Sequence, residues 1–149
     1  MRKKEKKIVT LYSDGSSLGN PGPGGWGTIL EYKGRQKELS GSKANTTNNQ
    51  MELTAVIRGL QELKEPCEVE VVTDSSYVAN AINEWLRNWV AKDFKKVKNK
   101  ELWQEYLEAA KQHKVKATWV RGHSGHPQNE KCDKLAVNAA KKIQGELSE

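Results

Sequence analysis

Residues 8–25 read IVTLYSDGSSLGNPGPGG. The stretch opens as an apolar strand, reaches Ser13-Asp14-Gly15-Ser16, and continues into a segment with four glycines and two prolines. A carboxylate ending a buried strand is an uncommon choice. Asp is depleted in strands, and burying its charge costs several kcal/mol unless it is paired or binds a metal. Asp-Gly is also a common turn pair. Two readings of Asp14 therefore stand at this point, a turn cap and a ligand.

Working outward, Lys7 to Ser13 reads as the first strand, Trp26 to Tyr32 as the second, and Gln36 to Ser42 as a polar edge strand. Lys33-Gly34-Arg35 is the hairpin turn between the last two. In Asn45-Thr46-Thr47-Asn48-Asn49-Gln50-Met51-Glu52, Thr47 followed by Gln50 has the pattern of a capping box. The helix it starts carries Leu53, Val56, Ile57, Leu60 and Leu63 at helical spacing and closes before Pro66. Val69 to Thr73 is a fourth strand ending at Asp74, and Ser75-Ser76 caps a short helix behind it. Trp85 and Trp89 follow, then a lysine-rich passage, a helix around Leu102 to Leu107, and a fifth strand from Val115 to Val120. Arg121-Gly122-His123-Ser124-Gly125-His126 is a glycine-flanked loop, and Pro127 opens the last helix. These elements predict an α/β domain. Its sheet is mixed and five-stranded, three antiparallel strands then two parallel ones, flanked by helices.

The 149 residues suit a single domain over 1–149, with a basic tail at 1–6 and a flexible C-terminal tail at 144–149. No apolar run approaches the roughly 20 residues that span a bilayer, and no secretory signal is evident. A cytoplasmic, monomeric protein without membrane contact is expected. Cys67 and Cys132 form no metal-type pair and read as buried thiols. The net charge is +6 and unevenly spread. Residues 1–7 carry five basic groups and one acid, and residues 85–100 carry six and one. Positive charge gathered this way suits a polyanionic partner, although a lysine run is more often a solvated face. Among the tryptophans, Trp26, Trp103 and Trp119 read as core, whereas Trp85 and Trp89, beside Arg87, Asn88 and Lys92, read as partly exposed.

Asp14 and Asp74 end strands, while Glu52 and Asp133 lie beside apolar helix positions. Hard cations such as Mg²⁺ take carboxylate oxygens, and two ions about 4 Å apart can clamp the attacking and leaving oxygens of a phosphoryl transfer. Taken singly, Glu52 and Asp133 are more simply ordinary helix-surface acids. Spacing along the chain does not show whether the four converge.

Four motifs in order, YSDGS with LGNPGPGGWG, TTNNQMEL, TDSSYV and WVRGHSGHPQNEKCDKLA, closely resemble the bacterial type 1 ribonuclease H family. The resemblance runs from about Lys7 to Ala140. It implies a ribonuclease H-like fold and an endonuclease that cuts the RNA strand of RNA–DNA hybrids, leaving 3′-hydroxyl and 5′-phosphate ends without strong sequence preference. Asp14, Glu52, Asp74 and Asp133 match the family's acidic positions, which hold two Mg²⁺ ions, with Mn²⁺ as a substitute. His123 matches its loop histidine, which assists proton transfer or product release. The RNA side is implied to meet Gly15, Ser16, Asn20, Asn48 and Asn49. The DNA side is implied to meet Thr47 and Asn88 as a phosphate pocket, with Trp85, Trp89, Lys95, Lys96 and Lys98 beyond it. Asn45 and Ser76 depart from the family pattern, where arginine and glutamine are common, and the passage from Trp85 to Lys100 is shorter than in well-known bacterial members.

Other readings are weaker. His123, His126 and Cys132 match no common zinc spacing, GHSG is not a nucleophile elbow, and GNPGPGG lacks the lysine of a nucleotide P-loop. A non-catalytic nucleic-acid-binding module would leave four carboxylates without a purpose. A resolvase- or integrase-type nuclease is disfavoured by TTNNQMEL and by the Trp85–Lys100 passage.

Overall fold

The computed structural model describes residues 7–122 and 126–148. Its five strands, β1 (Lys7–Ser17), β2 (Gly22–Tyr32), β3 (Arg35–Thr46), β4 (Cys67–Thr73) and β5 (Lys114–Trp119), form one sheet in the order β3-β2-β1-β4-β5. β1 and β2, and β2 and β3, pair antiparallel; β4 lies parallel to both β1 and β5. The mixed sheet expected from the sequence is therefore the one present. β4 and β5 are joined through helical segments, as parallel pairing requires.

Strand periodicity assigns the two faces. Leu11, Leu30, Val69 and Val71 pack on the side of α1 (Asn48–Glu62) with Leu53, Val56, Ile57 and Leu60. α5 (Pro127–Leu147) lies across the other face, over β2, β1 and β3. Residues 144–147, expected as tail, are the last turn of this helix.

The glycine-rich stretch is not the long loop its composition suggests. β1 continues to Ser17 and β2 begins at Gly22, so the chain reverses within residues 18–21, with Leu18 N donating to Pro23 O at 2.7 Å. The glycines serve helix packing. A Cβ on Gly25 would lie 2.2 Å from Ala136 O, and one on Gly27 would lie 2.5 Å from Cys132 O. Only bare backbone lets α5 settle that deeply on β2.

After β4, α2 (Ser76–Asn80), a π-helical turn (Ala81–Trp85) and α3 (Leu86–Ala91) make one helical run. Residues 92–99 fold as successive turns in which Asp93, Phe94, Lys96 and Asn99 have φ of 51°, 56°, 61° and 60°. Phe94, 7% exposed, anchors the segment in the core, and α4 (Lys100–Ala110) follows. Both cysteines are buried thiols, as expected. Trp103 is fully buried and Trp26 half-buried, but Trp119 is 53% exposed and not core. β5 is an edge strand whose residues are all exposed or half-buried, so its bulky side chains gain little cover. Among the described residues, no helix is long and apolar enough to cross a membrane.

Candidate active site

Strand register brings the acidic residues together. In the parallel pair, Ser13 stands opposite Thr73, the last paired residues, so Asp14 within β1 and Asp74 just past the end of β4 come side by side. In the antiparallel pair, Asp14 stands opposite Gly27, and Gly27 lies directly beneath Cys132 of α5. Asp133, the next residue, thereby reaches the same cleft, which Asp14, Asp74, Arg121, His126, Asn129 and Asp133 line. Glu52 arrives through Gly15. A Cβ there would sit 2.3 Å from Glu52 N and 2.4 Å from Met51 C, so α1 starts hard against the end of β1.

Carboxylate oxygens of Asp14, Glu52 and Asp74 all lie within 4.8 Å of one another. Asp14 is 6% exposed and accepts a hydrogen bond from Gly15 N at 2.9 Å. Burial first, then the Asp74 charge, push its carboxyl up to about 7. Burial and the charges of Asp14 and Asp74 hold Glu52 well above the usual carboxylate range. Glu52 Oε2 is buried with no hydrogen-bond partner. Crowded carboxylates and a buried acceptor left bare are what a hard divalent cation would satisfy, because it supplies positive charge and takes oxygen ligands. The donor set therefore fits such an ion.

Around the cluster the β4 end is tied from two sides. Trp119 Nε1 donates to Asp74 O at 3.0 Å, and Asn129 Nδ2 donates to Val72 O at 3.0 Å. Sequence reasoning missed both residues. Trp119 looked like core, and nothing along the chain links Asn129 to Val72. His123 lies outside the described residues.

The substrate-contact candidates fall into two groups. Asn48 Oδ1 accepts from Ser17 N at 2.7 Å, Asn20 Oδ1 accepts from Asn48 N at 3.4 Å, and Gly15, Ser16 and Asn49 adjoin them. Thr47 caps α1 by accepting from Gln50 N at 3.2 Å. Only this half of the predicted capping box forms. The Gln50 side chain instead meets Thr46 and Asn99. The second group holds Trp85 and Trp89, ring centroids 5.9 Å apart, with Lys95, Lys96 and Lys98 exposed beyond them. Asn88 is exposed on α3, and among the described residues no side-chain hydrogen bond joins it to Thr47. The residue that reaches Thr47's surroundings is Asn99, through Gln50.

The RNase H family model matches residues 6–141. A ribonuclease H from Sulfurovum sp. (strain NBC37-1) is 65% identical over 147 residues, covering 99% of this chain and 100% of the relative. One from Campylobacter concisus (strain 13826) is 67% identical over 140 residues, covering 94% and 97%. Among solved structures, LC9-RNase H1, described as a type 1 RNase H with the type 2 active-site motif, superposes with a TM-score of 0.87. It is 34% identical, with 95% of this chain and 76% of that one covered. LC11-RNase H1 in complex with an RNA/DNA hybrid superposes with a TM-score of 0.68 at 25% identity, covering 91% and 99%.

Proposed function

The chain belongs to the ribonuclease H family, and we propose that its four carboxylates carry that family's reaction at the cleft between β1, β4 and α5. The protein is a metal-dependent endonuclease that cleaves the RNA of RNA–DNA hybrids. Asp14, Glu52 and Asp74 hold the metal, and Asp133 completes the set from α5. The observation that carries the assignment is the gathering of three carboxylates within 4.8 Å in a half-buried cleft. Two Mg²⁺ ions held there, or Mn²⁺ in their place, would supply Lewis-acid polarisation for an attacking water and positive charge near the departing 3′ oxygen. The chain's own task is to fix the donor atoms before substrate arrives, through the strand register and the Gly15 contact. His123 is assigned proton transfer or product release, leaving 3′-hydroxyl and 5′-phosphate ends.

Hybrid selectivity needs an RNA strand that offers 2′-hydroxyls and a DNA strand held by its backbone. Ser16, Asn20, Asn48 and Asn49, next to Gly15 at the β1 end, face the first task. Thr47, Trp85, Trp89 and the lysines face the second, with Asn88 as a rim contact. Contacts of the second kind position a duplex without reading its sequence, so cleavage has little sequence preference. Two free, buried thiols suit a reducing cytosolic compartment, and a monomer suffices because one chain supplies every assigned group.

The test offers labelled RNA–DNA hybrid, double-stranded RNA, double-stranded DNA and single-stranded RNA, each with Mg²⁺ or with a chelator. Cutting is expected only in the RNA of the hybrid and only with metal. Hybrid binding without cutting would leave a binding module and remove the catalytic assignment.

A further inference from the structure

Asn99 breaks a local rule. It is the N-cap of α4, where an asparagine side chain normally accepts a hydrogen bond from the helix's first free N–H groups. Here it makes no such bond, and its backbone sits in the left-handed region, at φ 60° and ψ 31°. Its carboxamide is used elsewhere. Asn99 Oδ1 accepts from Gln50 Nε2 at 3.2 Å, and Asn99 Nδ2 donates to the Tyr77 hydroxyl at 3.2 Å. At one end of this relay, Gln50 Oε1 accepts from Thr46 Oγ1 at 2.8 Å. At the other, the Tyr77 hydroxyl also accepts from the fully buried Trp103 Nε1 at 2.8 Å. A forgone cap and a left-handed backbone persist only where the surroundings over-determine them.

The relay joins elements that are distant in sequence. Thr46 and Gln50 flank the Thr47 cap at the start of α1, and Tyr77 belongs to α2. Asn99 ends the segment bearing Lys95, Lys96 and Lys98, in which three further non-glycine residues have positive φ. Such a segment has little tendency to hold its own shape. Phe94 anchors its middle in the core, and Asn99 secures its end.

We propose that Gln50 and Tyr77 are positioning residues which, through Asn99, hold the lysine-bearing segment at a fixed place relative to the start of α1. The inference rests on the reading above, in which Thr47 and the lysines both meet the hybrid. Fixing the two surfaces against each other lets one duplex engage both without a further loss of chain entropy on binding.

Gln50→Met and Tyr77→Phe test this, because each breaks one link and keeps most of the packing. Binding of a labelled RNA–DNA hybrid is measured in chelator across a range of salt, and steady-state kinetics are measured in Mg²⁺. Both variants are expected to raise Kd and KM by about tenfold while kcat at saturating hybrid stays within about twofold. The slope of log Kd against log salt should fall by about one to two charges, because misplaced lysines neutralise fewer phosphates. Tyr77→Phe strips Trp103 of its acceptor and Gln50→Met strips the buried Thr46 hydroxyl of its acceptor, so both are expected to melt lower. Binding and kinetics are therefore measured well below either melting temperature, which separates lost fold from lost placement. The Lys95, Lys96 and Lys98 to alanine triple variant runs alongside. If it shifts Kd and slope while both relay variants match wild type, the relay idea is overturned and the lysine assignment survives. If the triple variant itself leaves Kd and slope unchanged, the lysines are a solvated face, and this inference falls with that reading. A fall in kcat with KM unchanged would also overturn it.

Discussion

Asp14→Asn is expected to keep hybrid binding and to lower cleavage by a factor on the order of a thousand or more, the scale set by removing a group that acts at the reacting centre. The asparagine is close to isosteric and can still accept the Gly15 N–H bond. What it removes is one negative charge from a cluster whose oxygens lie within 4.8 Å of one another. The same change is expected to stabilise the metal-free protein at neutral pH. In the fold Asp14 takes up its proton near 7, because burial and Asp74 disfavour its charge, whereas in the unfolded chain it does so at the ordinary carboxylate value. Between those values the folded state binds more protons. Stability without metal is therefore greatest below the ordinary carboxylate pKa and falls as pH rises through about 7. Glu52, shifted the same way, adds to the trend. Denaturant melts in chelator should show wild type losing a few kcal/mol between about pH 5 and about pH 8, with a smaller loss in Asp14→Asn. Equal pH dependence in the two proteins would mean the carboxylates are not coupled. An active Asp14→Asn enzyme would refute the metal role.

Gly15→Ala is expected to damage both fold and activity, although it adds a single methyl group. That methyl would meet backbone atoms, Glu52 N at 2.3 Å and Met51 C at 2.4 Å, which have no rotamer to move aside. The start of α1 must then lift from the end of β1, and Glu52 leaves the cluster with it. The expected cost is about 3 kcal/mol, at the upper end for overpacking, with cleavage reduced on the same order as in Asp14→Asn. Gly34→Ala is the control, since φ is +79° there and nothing lies within 4 Å of the added carbon. It should cost about 1 kcal/mol of backbone strain and leave activity unchanged. A Gly15→Ala enzyme with wild-type melting and turnover would show that α1 can move without consequence for the site.

Much of this site was legible along the chain because its parts are local signals. Asp14 and Asp74 stood out as charges at the ends of apolar runs, and Thr47 as a helix cap; Thr47 and Asp74 stand where expected, while β1 runs on past Asp14 to Ser17. The glycines were legible as unusual but not in purpose. Composition cannot distinguish a glycine that frees a loop from one that admits a helix, and the contact that settles it, Gly27 on Cys132, joins residues far apart in sequence. Trp119 was misplaced for a related reason. A period-two pattern identifies a strand without saying whether a helix covers its face, and β5 stands at the sheet edge. The capping box was half right, because Gln50 had a tertiary partner in Asn99 that outcompeted the local one. In each case long-range contact overrode a local preference, and one of those conflicts marks the relay proposed above.

The central claim is that Asp14, Glu52, Asp74 and Asp133 together hold the divalent metal. Its most direct test is calorimetric titration of Mg²⁺ into wild type and Asp14→Asn on either side of pH 7. Wild type is expected to bind with proton release and to bind more tightly above about pH 7 than below it, because metal and proton compete for the same carboxylates. Asp14→Asn should show little or no binding at either pH. Equal binding by the two proteins, or wild-type binding below about pH 7 without proton release, would contradict the account.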